Sequence, residues 1–249
     1  MKFFVPMPSP FTDDTTTASE IRLARAVRFH RDHGAAGYLV GSDAGEWMAL
    51  AHSERKLLVE WMVRESQGAP VIVGVTASTT SSVLDLCQHA ARHGAQAALL
   101  GAPPGGPWSE EEIKSLLSAV RRYANLPCLW LGGEEFQVIG TTDTSEYKPL
   151  SEVGPISLGR AFAAEECSAF GCVVTPIAVL GADKAKVAID QWAVAHLKAK
   201  SLFAHGRSAR VAKSVLERHK IEVGPPRGPM KPLDKRGEEL LASLMAQLG

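Results

Sequence analysis

Short apolar runs that end in glycine recur through the first half of the chain: Gly37-Tyr38-Leu39-Val40-Gly41, Val71-Ile72-Val73-Gly74, Ala97-Ala98-Leu99-Leu100-Gly101 and Leu129-Trp130-Leu131-Gly132. Their closing glycines stand 33, 27 and 31 residues apart. Runs this short, apolar on successive residues, fit parallel strands buried on both faces. The segments between them carry the helical period. One helix is expected from about Thr17 to His33, with Thr17-Ala18-Ser19-Glu20 as a capping box and Gly34 as its stop. A second box, Ser109-Glu110-Glu111-Glu112, opens a helix in which Ile113, Leu116, Leu117 and Val120 share one face. Residues 53–66 and 80–93 behave likewise. The stretch His33–Gly41 is echoed by His93–Gly101 sixty residues later, which is the span of two strand-helix units.

A strand-helix unit of about 30 residues repeated in a chain of this length favours an α/β class fold, an eight-stranded parallel barrel of the TIM type. No G-x-G-x-x-G closes the first strand, so an open dinucleotide-binding sheet is disfavoured and no nucleotide cofactor is expected. The opening Phe3-Phe4-Val5 run and the later runs Phe136–Gly140, Pro155–Gly159 and Gly171–Pro176 bring the strands to eight. The rhythm shortens, however, to 8 residues from Gly132 to Gly140 and 19 from Gly140 to Gly159. A parallel crossover needs a dozen or more residues, so the fifth and sixth units are expected to be irregular. The residues Gly132-Gly133-Glu134-Glu135 offer the alternative of a hairpin that reverses the next strand. The barrel is expected over residues 1–181. Helices over 182–204, Ser208 to Lys220 and Asp234 to Leu248, within 182–249, are expected to pack on it as part of the same domain, with Gly224–Pro229 as a linker.

Composition removes several classes of function. With 27 Lys+Arg against 27 Asp+Glu and a pI near 7.1, no long-range field would concentrate nucleic acid or an anionic membrane. The apolar runs fall well short of the roughly 18 residues of a spanning helix, and the prolines near Met1 do not fit a signal peptide. Cysteines at 87, 128, 167 and 172 show neither C-x-x-C spacing nor framework density, so reduced thiols and a cytoplasmic location are expected.

Four motifs, spread over nearly the whole chain, resemble the dihydrodipicolinate synthase and N-acetylneuraminate lyase family of pyruvate-using barrels. Pro8-Ser9-Pro10-Phe11 resembles the family's opening T-P-F, and Ser42-Asp43-Ala44-Gly45-Glu46 its G-T-T-G-E loop, with Ser53-Glu54-Arg55 at the following helix. Pro103-Pro104-Gly105-Gly106 falls at P-P-Y-Y, and Val223-Gly224-Pro225-Pro226-Arg227 with Pro232-Leu233 resembles the closing linker. The resemblance implies an α/β barrel, a lysine that forms a Schiff base with pyruvate, a proton-relaying tyrosine and paired hydroxyls for the substrate carboxylate. Val138-Ile139-Gly140-Thr141-Thr142-Asp143 resembles I-x-G-x-K-E, which puts Thr142 at the lysine position. A threonine cannot form an imine. The tyrosine falls on Gly105 or Gly106, the hydroxyl pair on Asp43 and Ala44, and the lyase arginine has no counterpart in Gly132–Glu135.

The inherited mechanism is therefore expected to be lost, leaving a protein that binds a small carboxylate, a keto acid or a partner subunit. Ser42, Asp43, Ala44, Glu46 and Arg160 are the binding candidates; the catalytic set is unknown. The alternative is an active carbon–carbon lyase or synthase on pyruvate or a related keto acid, using a displaced lysine such as Lys148, Lys184 or Lys186, or a different mechanism. Glu46 is expected to brace its loop, while Glu134, Glu135 and Asp143 are solvated. Arg160 either binds an anion or caps a helix. His89 and His93 lie four apart on one helix, but Ala90-Ala91-Arg92 lacks the glutamate of H-E-x-x-H, so a basic helix end is expected and no metal. Trp108 is expected to pack as a lid. The shortened half would leave strand backs uncovered, which favours a homo-oligomer.

Overall fold

The computed structural model describes residues 2–132, 135–139, 172–174 and 208–248. Four strand-helix units come first: β1 (Lys2–Pro6), α1 (Glu20–Asp32), β2 (Gly37–Val40), α2 (His52–Glu65), β3 (Val71–Gly74), α3 (Thr80–Arg92), β4 (Ala97–Gly101) and α4 (Glu110–Tyr123). Two 3-10 turns, Asp43–Gly45 and Trp47–Ala49, lie between β2 and α2. Then follow β5 (Cys128–Gly132), β6 (Glu135–Ile139), β7 (Cys172–Val174), α5 (Ser208–Arg218) and α6 (Lys235–Leu248). The sheet order is β6-β5-β4-β3-β2-β1-β7, so the first strand lies between the second and the last described, the adjacency that a closed barrel requires.

β1 to β5 and β7 are parallel, and β2 and β3 are buried at every position, as continuous apolar runs predict. Inside and around them Phe4, Tyr38, Leu39, Ile72 and Leu100 meet Leu23, Leu58, Met62 and Leu86 from the helices in one core. Each such side chain contributes roughly 1.5–3 kcal/mol by leaving water. β6 runs antiparallel to β5, with Gly132 opposite Glu135 and Ile139 opposite Cys128. The short spacing is thus resolved by reversal of the strand. The expected strand Pro155–Gly159 and helix 182–204 lie outside the described residues, as do Thr142, Arg160, Glu134, Asp143, Lys148, Lys184 and Lys186. Among the described residues no helix is long and apolar enough to cross a membrane.

One helix start differs from the sequence expectation. Ser19, not Thr17, caps α1 by accepting from Arg22 N. Thr17 is engaged earlier, its carbonyl accepting from Thr12 N at 3.0 Å, while Ala18 bridges to Phe11. The α4 box forms as read, with Ser109 Oγ accepting from Glu112 N and the Glu112 carboxylate accepting from Ser109 N at 2.7 Å. Cys87 and Cys128 are free buried thiols with sulfurs 3.9 Å apart, and their mutual contact, together with burial, raises the Cys128 pKa.

His30 sits on the buried face of α1, 1% exposed, with neither ring nitrogen hydrogen-bonded. Burial, aided by His33 and His219, pushes its pKa down to about 3 from 6.5. The unfolded chain therefore binds a proton at His30 that the folded protein refuses until far lower pH. Stability from this group is complete above pH 6.5 and falls by about 1.4 kcal/mol per unit as the pH drops toward 3. Urea unfolding of the parent and His30→Leu between about pH 7 and 4.5 checks this: the variant should lose less stability per pH unit. Parallel slopes would contradict the assignment.

Candidate functional site

The loops after β1, β2, β3 and β4 gather at the C-terminal ends of the parallel strands, the face where barrels of this class carry their sites. Ser9 Oγ donates to Gly45 O at 2.5 Å, and Gly45 N donates to Ser42 O at 2.9 Å, so the first loop holds the second. Glu46 follows with φ 54, a left-handed conformation that directs the chain into the turn Trp47–Ala49. Its side chain is fully buried.

Both Glu46 oxygens are engaged from the far end of the sequence. Oε1 pairs with Lys213 Nζ of α5 at 2.7 Å, and Oε2 accepts from Arg227 N at 2.8 Å. Lys213 also donates to Pro225 O at 2.9 Å and lies 4.5 Å from the Phe11 ring centre. Burial lowers the Lys213 pKa, while the Glu46 carboxylate opposes that shift. The Arg227 guanidinium lies 4.2 Å from the same ring, donates to both Glu54 oxygens at 2.7 and 2.9 Å, and reaches the carbonyls of Thr15, Thr16 and Ala49. Those bonds hold the Glu54 carboxyl below its ordinary pKa. Arg22 completes the cluster through Phe11 O and Asp13. Phe11 is thus in cation–π contact with both Lys213 and Arg227.

The linker reaches this cluster because Gly224 has φ +75 and no side chain; a Cβ there would collide with Phe11 O. Phe11 N then donates to Val223 O at 3.0 Å. Arg55, on α2, is 7% exposed and donates to Gly74 O and Thr76 O at 2.8 and 2.7 Å, closing the end of β3. Burial pushes its pKa down to about 10. Beside the brace, a cavity of about 430 Å³ is bordered by Asp13, Arg22, Arg210, Lys213, Glu217 and Glu222. Its three cations face three carboxylates.

The structure separates the candidates read from the sequence. Ser42, at the end of β2, is buried with an Oγ that lacks a hydrogen-bond partner. Ala44 is buried at the α5 contact, and Asp43 opens the 3-10 turn before it. Gly105 has φ +97, and a Cβ on Gly106 would collide with the Trp108 ring. Trp108 Nε1 donates to Pro103 O at 2.8 Å, so the indole closes its own loop. The part played by Lys213 escaped sequence reasoning. Its signal is a lysine in the apolar stripe of α5, beside Ala209, Ala212 and Leu216.

With that geometry in hand, the relatives can be placed. The sequence pattern of the dihydrodipicolinate synthetase family matches residues 1–130, and so ends in β5 just before the strand reversal. The sequence likeness is therefore confined to about half of the chain, not spread over nearly all of it as the motifs suggested. An uncharacterized DapA-like lyase of Pyrococcus abyssi is 32% identical over 125 residues, covering 50% of this chain and 42% of that protein. The 4-hydroxy-tetrahydrodipicolinate synthase of Bradyrhizobium diazoefficiens is 27% identical over 127 residues, covering 51% and 42%. The chain spans about two-fifths of the length of these curated relatives. In three dimensions the likeness extends further. Dihydrodipicolinate synthase from Oceanobacillus iheyensis superposes with a TM-score of 0.75 at 14% identity, covering 98% of this chain and 95% of that one. N-acetylneuraminate lyase from Mycoplasma synoviae gives 0.69 at 15% identity, covering 98% and 96%. These likenesses establish the α/β barrel fold, and with the family pattern running through every strand from β1 into β5, the chain belongs to the dihydrodipicolinate synthetase family.

Proposed function

We propose that this protein is a family member without Schiff-base chemistry, one that binds a small carboxylate or keto acid, or a partner subunit, at the C-terminal mouth of the barrel. The observation that carries the reading is the loop Pro103–Trp108. Neither Gly105 nor Gly106 has a hydroxyl to relay a proton, and the Trp108 ring occupies the space into which a side chain at Gly106 would grow. A tyrosine there would have to displace an indole that is hydrogen-bonded to Pro103 O. The direction of β6 supports the same reading: Ile139 lies opposite Cys128, at the N-terminal end of β5, so β6 runs away from the mouth over Glu135–Ile139. Ser42 Oγ remains as a donor for a carboxylate.

The alternative, an active carbon–carbon lyase with a displaced nucleophile, has one observation in its favour. Lys213 is buried and burial lowers its pKa, as a nucleophilic amine requires. Against it stand the Glu46 carboxylate, the Pro225 carbonyl and the Phe11 ring, which already surround that amine. Free Cys87 and Cys128 thiols support a reducing, cytoplasmic compartment, and Ile21 and Met48, 68% and 71% exposed, support a homo-oligomer.

Incubation with pyruvate and borohydride, read by intact mass and peptide mapping, tests the chemistry. No adduct is expected. A stoichiometric adduct on one lysine would overturn the reading and identify the nucleophile. Thr142→Lys alone should yield little turnover, because amine, relay and carboxylate site act as a unit; family-level rates in that variant would show that the relay is intact. Light scattering should give a multiple of 26.6 kDa, and a monomer alone would contradict the assembly.

A further inference from the structure

On the helical layer, where α3 ends before β4, Glu60 of α2 faces His89 of α3 and His93, the residue that caps α3. Glu60 Oε1 lies 3.2 Å from His89 Nε2 and 3.9 Å from His93 Nε2. All three donor atoms fall within 4.8 Å of one another. The two imidazoles lie face to face, with centroids 4.3 Å apart and planes inclined by 31°, as their four-residue spacing on one helix dictates.

We propose that Glu60, His89 and His93 form a binding site for a divalent transition-metal ion of the zinc type, clamping α2 to α3. Ligand type and distance both argue for it. Two imidazole nitrogens and one carboxylate oxygen suit zinc, and donors about 2.0–2.1 Å from a tetrahedral ion stand about 3.3 Å apart. Small side-chain adjustments bring the three atoms to that spacing. His89 Nε2 is buried and makes no hydrogen bond, although the carboxylate oxygen is near. A buried ring nitrogen so placed lacks the partner that a metal ion would supply.

The surroundings also leave the site accessible. His93 and Glu60 have side chains 40% and 39% exposed, which gives an ion a route in and leaves a fourth position for water. The neighbouring His52–Asp85 pair on the same two helices does not offer this. Lys56 Nζ sits 2.6 Å from Asp85 Oδ2 and already supplies the cation there.

The test is calorimetric titration of the chelator-treated 249-residue chain with Zn²⁺. One equivalent should bind. His93→Ala and Glu60→Gln, both at half-exposed positions and each checked for folding by circular dichroism, should weaken binding by about tenfold or more. His52→Ala should stay within about twofold of the parent. A second readout is thermal: at one fixed Zn²⁺ concentration the Tm of the parent and of His52→Ala should rise by similar amounts, and that of the other two variants by less. Absence of Zn²⁺ binding in the parent, or unchanged affinity in both His93→Ala and Glu60→Gln, would overturn the proposal.

Discussion

The buried carboxylate of Glu46 is the constraint around which the mouth of this barrel is built. An ionised carboxylate taken out of water costs several kcal/mol unless charge and hydrogen bonds replace the lost hydration. Lys213 supplies the charge and the Arg227 amide a hydrogen bond, from segments more than 160 residues downstream. Each has its own requirements in turn. Lys213 needs Pro225 O and the Phe11 ring, while Arg227 needs Glu54 and three carbonyls of the first two loops. Removing any one member leaves another polar group buried without a partner, so the cluster holds together or fails as a unit.

This arrangement gives three of the motifs read from the sequence a structural role. The Pro10-Phe11 pair, the Gly45-Glu46 pair and the Pro225–Arg227 tail lie far apart in sequence yet converge within hydrogen-bonding or ring-contact distance. With Lys213 they dock α5 and the linker onto the loops after β1 and β2. The loop that carries Gly105 and Gly106 stands apart from this cluster and is closed by Trp108, whose indole donates to Pro103 O.

The first four strand-helix units were legible because local physics decides them. Continuous apolar runs ending in glycine need both faces buried, and the Ser109–Glu112 box satisfies its own helix end. The start of α1 differs because Thr17 closes a short loop turn, its carbonyl accepting from Thr12 N, a bond that helix-capping rules do not register. The hairpin after β5 was visible as a spacing too short for a crossover, although spacing alone did not decide between hairpin and irregular unit. Lys213 read as one more helical lysine, since the partner that buries it is remote in sequence. The same limit hid the Glu60 cluster: the two histidines share a helix, but the carboxylate comes from the preceding one.

A double-mutant cycle on Glu46 and Lys213, measured by equilibrium urea unfolding at neutral pH, tests the central claim most directly. Lys213→Met alone leaves the buried carboxylate uncompensated and should destabilise by about 3–5 kcal/mol. Glu46→Gln in that background should cost far less than in the parent, giving a coupling energy of about 1–3 kcal/mol. If the two substitutions instead add to within about 0.5 kcal/mol, Glu46 and Lys213 do not depend on one another. The mouth of the barrel would then have to be held by some other interaction.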